Sequence, residues 1–160
     1  MANYYTYPSP IGLLRFENTD DYIASIQFVD HEENTQDFHA GLKNKIIIQL
    51  DDYFNGKLFK FDLPLNPSGT DFQKKVWTQL ELIEYGQQIS YGDLAMQLGN
   101  KNLVRAVGGA NSKNPLAIIV PCHRVIGSNN RLVGYAGGLW RKKWLLRHEL
   151  EYRPNNMQLF

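Results

Sequence analysis

The chain has 160 residues, 43% of them hydrophobic and 21% charged, with a formal net charge of +1. That length suits one large domain or two small ones, and the composition is that of a soluble globular protein. No apolar run approaches the roughly 20 residues that span a bilayer, and the start lacks the charged and apolar regions of a signal peptide. One cysteine excludes an internal disulfide. With four histidines it gives no zinc-ligand spacing, so a reducing, intracellular setting without a metal is expected.

The charge is unevenly spread. Residues 1–69 hold five Lys/Arg against ten Asp/Glu, a balance of −5, and residues 70–160 hold twelve against six, a balance of +6. An acidic first part and a basic second part point to a polyanion contact by the second alone. Leu63-Pro64-Leu65-Asn66-Pro67-Ser68-Gly69 reads as the connector between them.

Before the connector, Tyr4–Tyr7, Leu13–Glu17 and Tyr22–Val29 read as short strands separated by turn residues. In the third, Ala24, Ile26 and Phe28 alternate with polar neighbours, as in a strand with one buried face. Phe38, Leu42, Ile46 and Leu50 recur every four residues, which predicts an amphipathic helix covering the sheet. No zinc-ligand set appears in this part, and His31 and His39 read as solvated.

After the connector, Thr70-Asp71-Phe72-Gln73 is a capping box opening a helix through Val76 and Leu80. Ser90-Tyr91-Gly92-Asp93 opens a second, short helix that Gly99 is suited to end. A third is expected from Asn102 to Asn111, with Arg105 near its start. Such a pair has the form of a helix-turn-helix, a modest signal strengthened by the basic balance of this half. Pro115 to Val120 reads as one buried strand. Leu139 to Leu150 reads as a last helix, with Trp140, Trp144 and Leu145 inside and Arg141, Lys142, Lys143 and Arg147 outside. His148 reads as a surface residue. The expected fold class is α/β (α+β): a small N-terminal sheet with a covering helix, then a mainly helical, winged-helix-like domain.

A lone cysteine is by default a small buried hydrophobe. Cys122 departs from that default. It follows Pro121, it sits at the end of the expected strand, and His123 and Arg124 beside it favour the thiolate. Glu149 is available to orient a histidine, as nucleophile–base–orienter arrangements require. Sequence neighbours need not face one another, so spacing leaves the role of His123 open. Arg124 is open between a phosphate contact and a structural brace.

Asn114-Pro115 with Ile118-Ile119-Val120-Pro121-Cys122-His123-Arg124-Val125-Ile126-Gly127 resembles the active-site signature of the O6-alkylguanine-DNA alkyltransferases. The likeness extends through Ser90–Ala95, Arg105–Asn111, Gly134–Leu139 and Trp144–Glu149, so it covers residues 70–150. It implies that Cys122 accepts an alkyl group from O6 of guanine irreversibly, one lesion per molecule and without a cofactor. His123 would act as base through a water, Glu149 would hold His123, and Asn114 would brace the segment. Tyr91 would assist phosphate rotation and protonate guanine N3. Arg105 would fill the gap left by the flipped nucleotide, and Ala110 would lie on the face of the recognition helix in the minor groove. Arg124 and Ser128 would join the DNA-binding set, and Tyr135, Ala136 and Gly137 would line the base pocket. Double-stranded DNA is the implied partner, bound by a monomer. Two departures stand out: Asn130 where a glycine is frequent, and Ala136 where some members carry a serine that contacts guanine O6. Three rival readings exist: a lesion-binding relative that transfers nothing, a helix-turn-helix regulator, and a cysteine hydrolase. The first lacks the cysteine and the second needs a dimer surface this sequence does not offer. The third would turn over rather than keep its adduct.

Overall fold

A computed structural model describes residues 2–128, 132 and 134–154; Asn130 lies outside them. The chain forms two compact units, Met1–Ser68 with Pro115–Ala117, and Gly69–Asn114 with Ile118–Phe160.

In the first unit β1 (Asn3–Ser9), β2 (Gly12–Thr19) and β3 (Tyr22–Val29) make an antiparallel meander. Leu14 and Phe16 on β2 point into the core. The expected alternation of Ala24, Ile26 and Phe28 on β3 is not what forms. Ile23 and Ile26 are the fully buried pair, three residues apart. The cause is a register shift opposite Glu17/Asn18, where Ala24 is the extra residue of a bulge and the inward face is reset. The helix α1 (Ala40–Phe54) buries Leu42, Ile46, Leu50 and Tyr53, each contributing roughly 1.5–3 kcal/mol by leaving water. His39 is its N-cap: Nδ1 accepts from the Leu42 N–H at 3.0 Å. Leu65 and Leu116 bridge onto β3 at Ile23 and Ile26. Two backbone bonds hold the second bridge, Ile26 N–H to the Pro115 carbonyl at 2.7 Å and Ala117 N–H to the Ile26 carbonyl at 3.2 Å.

The second unit opens with α2 (Asp71–Leu80). Its capping box is complete, with Gln73 N–H donating to Thr70 Oγ1 at 3.1 Å and Thr70 N–H to Gln73 Oε1 at 2.9 Å. The short helix α3 (Tyr91–Gln97) is capped by Ser90, whose Oγ accepts from Asp93 N–H at 3.0 Å. Gly99, at φ +104°, then turns the chain. A 3-10 turn at Lys101–Leu103 leads into α4 (Val104–Ser112). Two residue pairs, β4 (Ile89–Ser90) and β5 (Val125–Ile126), form a small parallel ladder. α5 (Leu139–Tyr152) closes the unit.

Pro115 to Val120 does not form the expected strand. Ile118 adopts φ +70° and the run folds back as a buried turn. A β-branched residue there stores on the order of 1–3 kcal/mol of strain. On α5 the expected faces also need correction. Lys142 is fully buried and His148 nearly so, while Trp140 is 58% exposed. Burial follows the spacing of Lys142, Leu145, Leu146 and Glu149, the stripe of one helix face, rather than polarity. His148 stacks on Trp144 and meets Tyr152 at a tilt, with ring centroids 4.9 Å apart in both pairs. Among the described residues no helix is long and apolar enough to cross a membrane.

Candidate active site

Cys122, His123 and Arg124 form a single 3-10 turn at the end of the buried fold-back, not at a strand end, and all three are buried. The turn is set from both sides. Cys122 N–H donates to the Val120 carbonyl at 2.8 Å, and Arg124 N–H to the Pro121 carbonyl at 3.0 Å. Asn114 Nδ2 donates to the same Val120 carbonyl at 2.9 Å, and the Asn114 side chain also hydrogen-bonds the thiol.

The three side chains diverge into different surroundings, and Glu149 on α5 gathers two of them. His123 Nε2 lies 2.8 Å from Glu149 Oε2. Arg124 forks the same carboxylate, with Nε 2.8 Å from Oε1 and Nη2 3.0 Å from Oε2. Its Nη1 donates to the Ile83 carbonyl at 2.6 Å. Gly86 N–H adds a bond to Oε1 at 3.3 Å. Burial by itself would push the Glu149 carboxyl up. Electrostatic attraction to His123 and Arg124 and the hydrogen bonds both donate outweigh it and hold the group well below the usual carboxylate range.

An ionised carboxylate only accepts, so the hydrogen between the two residues belongs to His123 Nε2. Burial depresses the imidazole, as do the Arg124 and Lys142 charges, and the opposing pull of Glu149 does not restore it. The ring is therefore neutral near pH 7. Nδ1 carries a lone pair, and among the described residues it is buried without a hydrogen-bond partner. A neutral imidazole oriented by a carboxylate with a bare Nδ1 is equipped to take a proton.

The expectation that neighbouring cations favour the thiolate is not met. Burial raises the Cys122 thiol above its ordinary value, and the lowering influences of Asn114 and Lys142 do not compensate. The Arg124 guanidinium is directed at Glu149. At rest Cys122 is a protonated thiol, which would need a base before it could act as a nucleophile.

Lys142 is the site residue that sequence reasoning missed. Its ammonium sits 5.9 Å over the Tyr91 ring. Burial depresses it to about 8, against an upward pull from Cys122. The usable signal was its place two helical turns before Glu149, which the basic run Arg141-Lys142-Lys143 disguised.

The remaining expected residues fall into three groups. Tyr91 opens α3 and its hydroxyl accepts from Asn111 Nδ2 at 3.3 Å; burial raises the phenol, and the Asn111 bond works against that. Tyr135 has a buried hydroxyl and a phenol raised far above its ordinary range, first by burial. Ala136 and Gly137 follow it, and the Gly137 carbonyl accepts from Arg141 Nη1 at 2.9 Å. Arg105 and Ser128 are exposed. Ala110 is not on an exposed face: it is 4% exposed and its carbonyl accepts from Trp77 Nε1 at 2.8 Å. On α4 it is Arg105, Ala106, Gly109 and Ser112 that face outward. Arg124, bound on three nitrogens inside the unit, is placed as a brace rather than as a surface cation. Among the described residues no group of His, Cys, Asp or Glu has the makings of a metal site.

Comparison with known proteins accounts for the whole chain. Residues 71–151 match the family profile described as the DNA binding domain of 6-O-methylguanine DNA methyltransferase, and residues 3–67 match its ribonuclease-like domain. A methylated-DNA–protein-cysteine methyltransferase of Mycolicibacterium paratuberculosis is 42% identical over 100% of this chain and 99% of its own. A counterpart from Methanosarcina acetivorans is 42% identical over 91% of this chain and 97% of its own. The O6-methylguanine methyltransferase of Mycobacterium tuberculosis superposes with a TM-score of 0.84 at 39% identity, covering 98% of this chain and 97% of that one. The Mycobacterium tuberculosis protein crystallised with DNA gives 0.85 at 42% identity, with 95% of each chain covered. With both halves matched and a relative 42% identical over the full length, this chain belongs to the 6-O-methylguanine DNA methyltransferase family.

Proposed function

We propose that this protein repairs DNA by moving an alkyl group from O6 of guanine onto Cys122, once per molecule. The observation that carries the reading is buried Cys122 followed in the chain by a neutral His123 whose Nε2 is held 2.8 Å from ionised Glu149 and whose Nδ1 has no hydrogen-bond partner among the described residues. His123 Nδ1 takes the thiol proton through a water. The thiolate attacks the alkyl carbon, the carbon–oxygen bond breaks, and its electron pair passes into the purine. Tyr91 donates its proton to guanine N3, so a neutral base leaves. The proton held on His123 then returns to the Tyr91 oxygen, and the residue that changes is Cys122, now a thioether. Asn114 steadies the turn that presents the sulfur.

A guanine inside a duplex hides O6, so the nucleotide must be flipped out, at a cost of a few kcal/mol. Arg105, exposed near the start of α4, fills the gap from the minor groove in this reading and offsets part of that cost. Arg105, Ala106, Gly109 and Ser112 form the contacting face of α4, with Ser128 beside the backbone. Tyr135, Ala136 and Gly137 line the base pocket of a protein acting as a monomer.

The test is intact-protein mass after incubation with a duplex holding one O6-methylguanine. The expected result is a gain of one methyl group, mapped to the peptide containing Cys122 and missing in Cys122→Ser, which still binds the duplex. An unchanged mass alongside tight binding would overturn transfer and leave lesion recognition.

A further inference from the structure

Asn111 is a polar residue in an apolar stripe. It shares the inward face of α4 with Val107 and Ala110 and is 2% exposed. Its Nδ2 donates to the Tyr91 hydroxyl at 3.3 Å, while Oδ1 is buried without a hydrogen-bond partner among the described residues. A half-satisfied amide is destabilising at a buried position that a leucine would fill. Its presence therefore needs a reason other than packing.

The reason lies in what an amide donor does to a phenol. A phenol oxygen has one hydrogen and two lone pairs. With the amide N–H on the oxygen, the phenol's own hydrogen must point elsewhere. The rest of the surroundings fix where the ring stands. Its Cδ1 lies 4.0 Å from where a Cβ on Gly108 would be, and the Lys142 ammonium is over its face. Its hydroxyl lies 3.9 Å from where a Cβ on Gly134 would be, next to the segment that carries Tyr135, Ala136 and Gly137.

We propose that Asn111 is a positioning residue for the transfer reaction, donating to the Tyr91 oxygen so that the phenol proton is directed at the departing guanine. When that proton leaves, the same N–H stabilises the phenolate that forms, because a donor to an ionised acceptor binds more strongly than one to a neutral acceptor. The downward pull of this bond on the Tyr91 phenol agrees in direction. The inference rests on the assignment of Tyr91 as proton donor.

A double-mutant cycle on single-turnover methyl transfer from duplex DNA tests it. Asn111→Leu is expected to slow transfer about fivefold to tenfold, as for the loss of one hydrogen bond formed to a developing charge. DNA affinity and thermal midpoint should hold or improve. In the Tyr91→Phe background, which has no hydroxyl, Asn111→Leu should produce no further slowing. Equal slowing in both backgrounds would overturn the proposal and leave Tyr91 as donor. A rate unaffected by Tyr91→Phe alone would overturn both assignments. Asn111→Ala runs the same cycle should the leucine variant fold poorly.

Discussion

Glu149 Oε2 stands 2.8 Å from His123 Nε2, and the same carboxylate is forked by Arg124. One buried acid thus sets the tautomer of the proposed base, His123, and neutralises the arginine that ties this turn to the Ile83 carbonyl. The orientation of His123 and the bracing of Arg124 share a single side chain.

Glu149→Gln should damage both. The amide no longer selects the Nε2–H tautomer, and transfer is expected to slow about a hundredfold in single-turnover assays. Arg124 is left buried without its counter-charge, so denaturant unfolding should show a loss of about 3 kcal/mol.

Arg124→Lys separates a brace from a phosphate contact. A lysine cannot fork the carboxylate while reaching Ile83, and a loss of about 2 kcal/mol in stability is expected. The salt dependence of DNA binding should not change, whereas losing a phosphate contact would lower its slope by about one.

Acid should act at two stages. His123 is depressed from 6.5 in the folded protein, so the unfolded chain takes up its proton first and stability falls as pH drops below about 6.5. Glu149 is depressed from 4.5, so its contribution is complete above about 4.5 and is lost below it. Denaturant midpoints measured across pH should show both declines in the native protein and only the first in Glu149→Gln. The transfer rate should also fall on the acid side as His123 Nδ1 becomes protonated.

Lys142→Met is expected to trade activity for stability. Depressed from 10.5 to about 8, the lysine is unfavourable to the folded state throughout the range below 8, and the penalty disappears as pH rises through 10.5. Methionine should therefore raise stability at pH 7 by about 1–2 kcal/mol. Without the Lys142 charge, which pulls the Cys122 thiol downward, the thiolate is harder to form and transfer should slow, as read by single-turnover rates.

Arg105→Ala should slow repair in duplex DNA well beyond its effect on free O6-benzylguanine, which needs no flipping. Matched losses on the two substrates would rule out a role in filling the gap.

The sequence made some of this legible and hid the rest for identifiable reasons. Thr70 and Gln73 announced α2 because a capping box is a local device. Leu42, Ile46 and Leu50 announced α1 because one face was buried along its length. The Ala24 bulge and the turn at Ile118 escaped notice because both depend on partners distant in the chain. Cys122, His123 and Glu149 stood out through motif order. The state of the thiol did not, since it depends on burial opposed by Asn114 and Lys142, which spacing does not reveal. Lys142 and Asn111 were hidden by their type, polar residues on buried helix faces.

Cys122 is the chain's single cysteine, and it is buried. Under native conditions a thiol reagent meets a shielded, protonated sulfur, while after unfolding it meets one reactive group per chain. A protein that has repaired a lesion offers none. Thiol titration in denaturant therefore counts unused molecules directly, and the capacity of a preparation becomes a number of sulfhydryls rather than a rate.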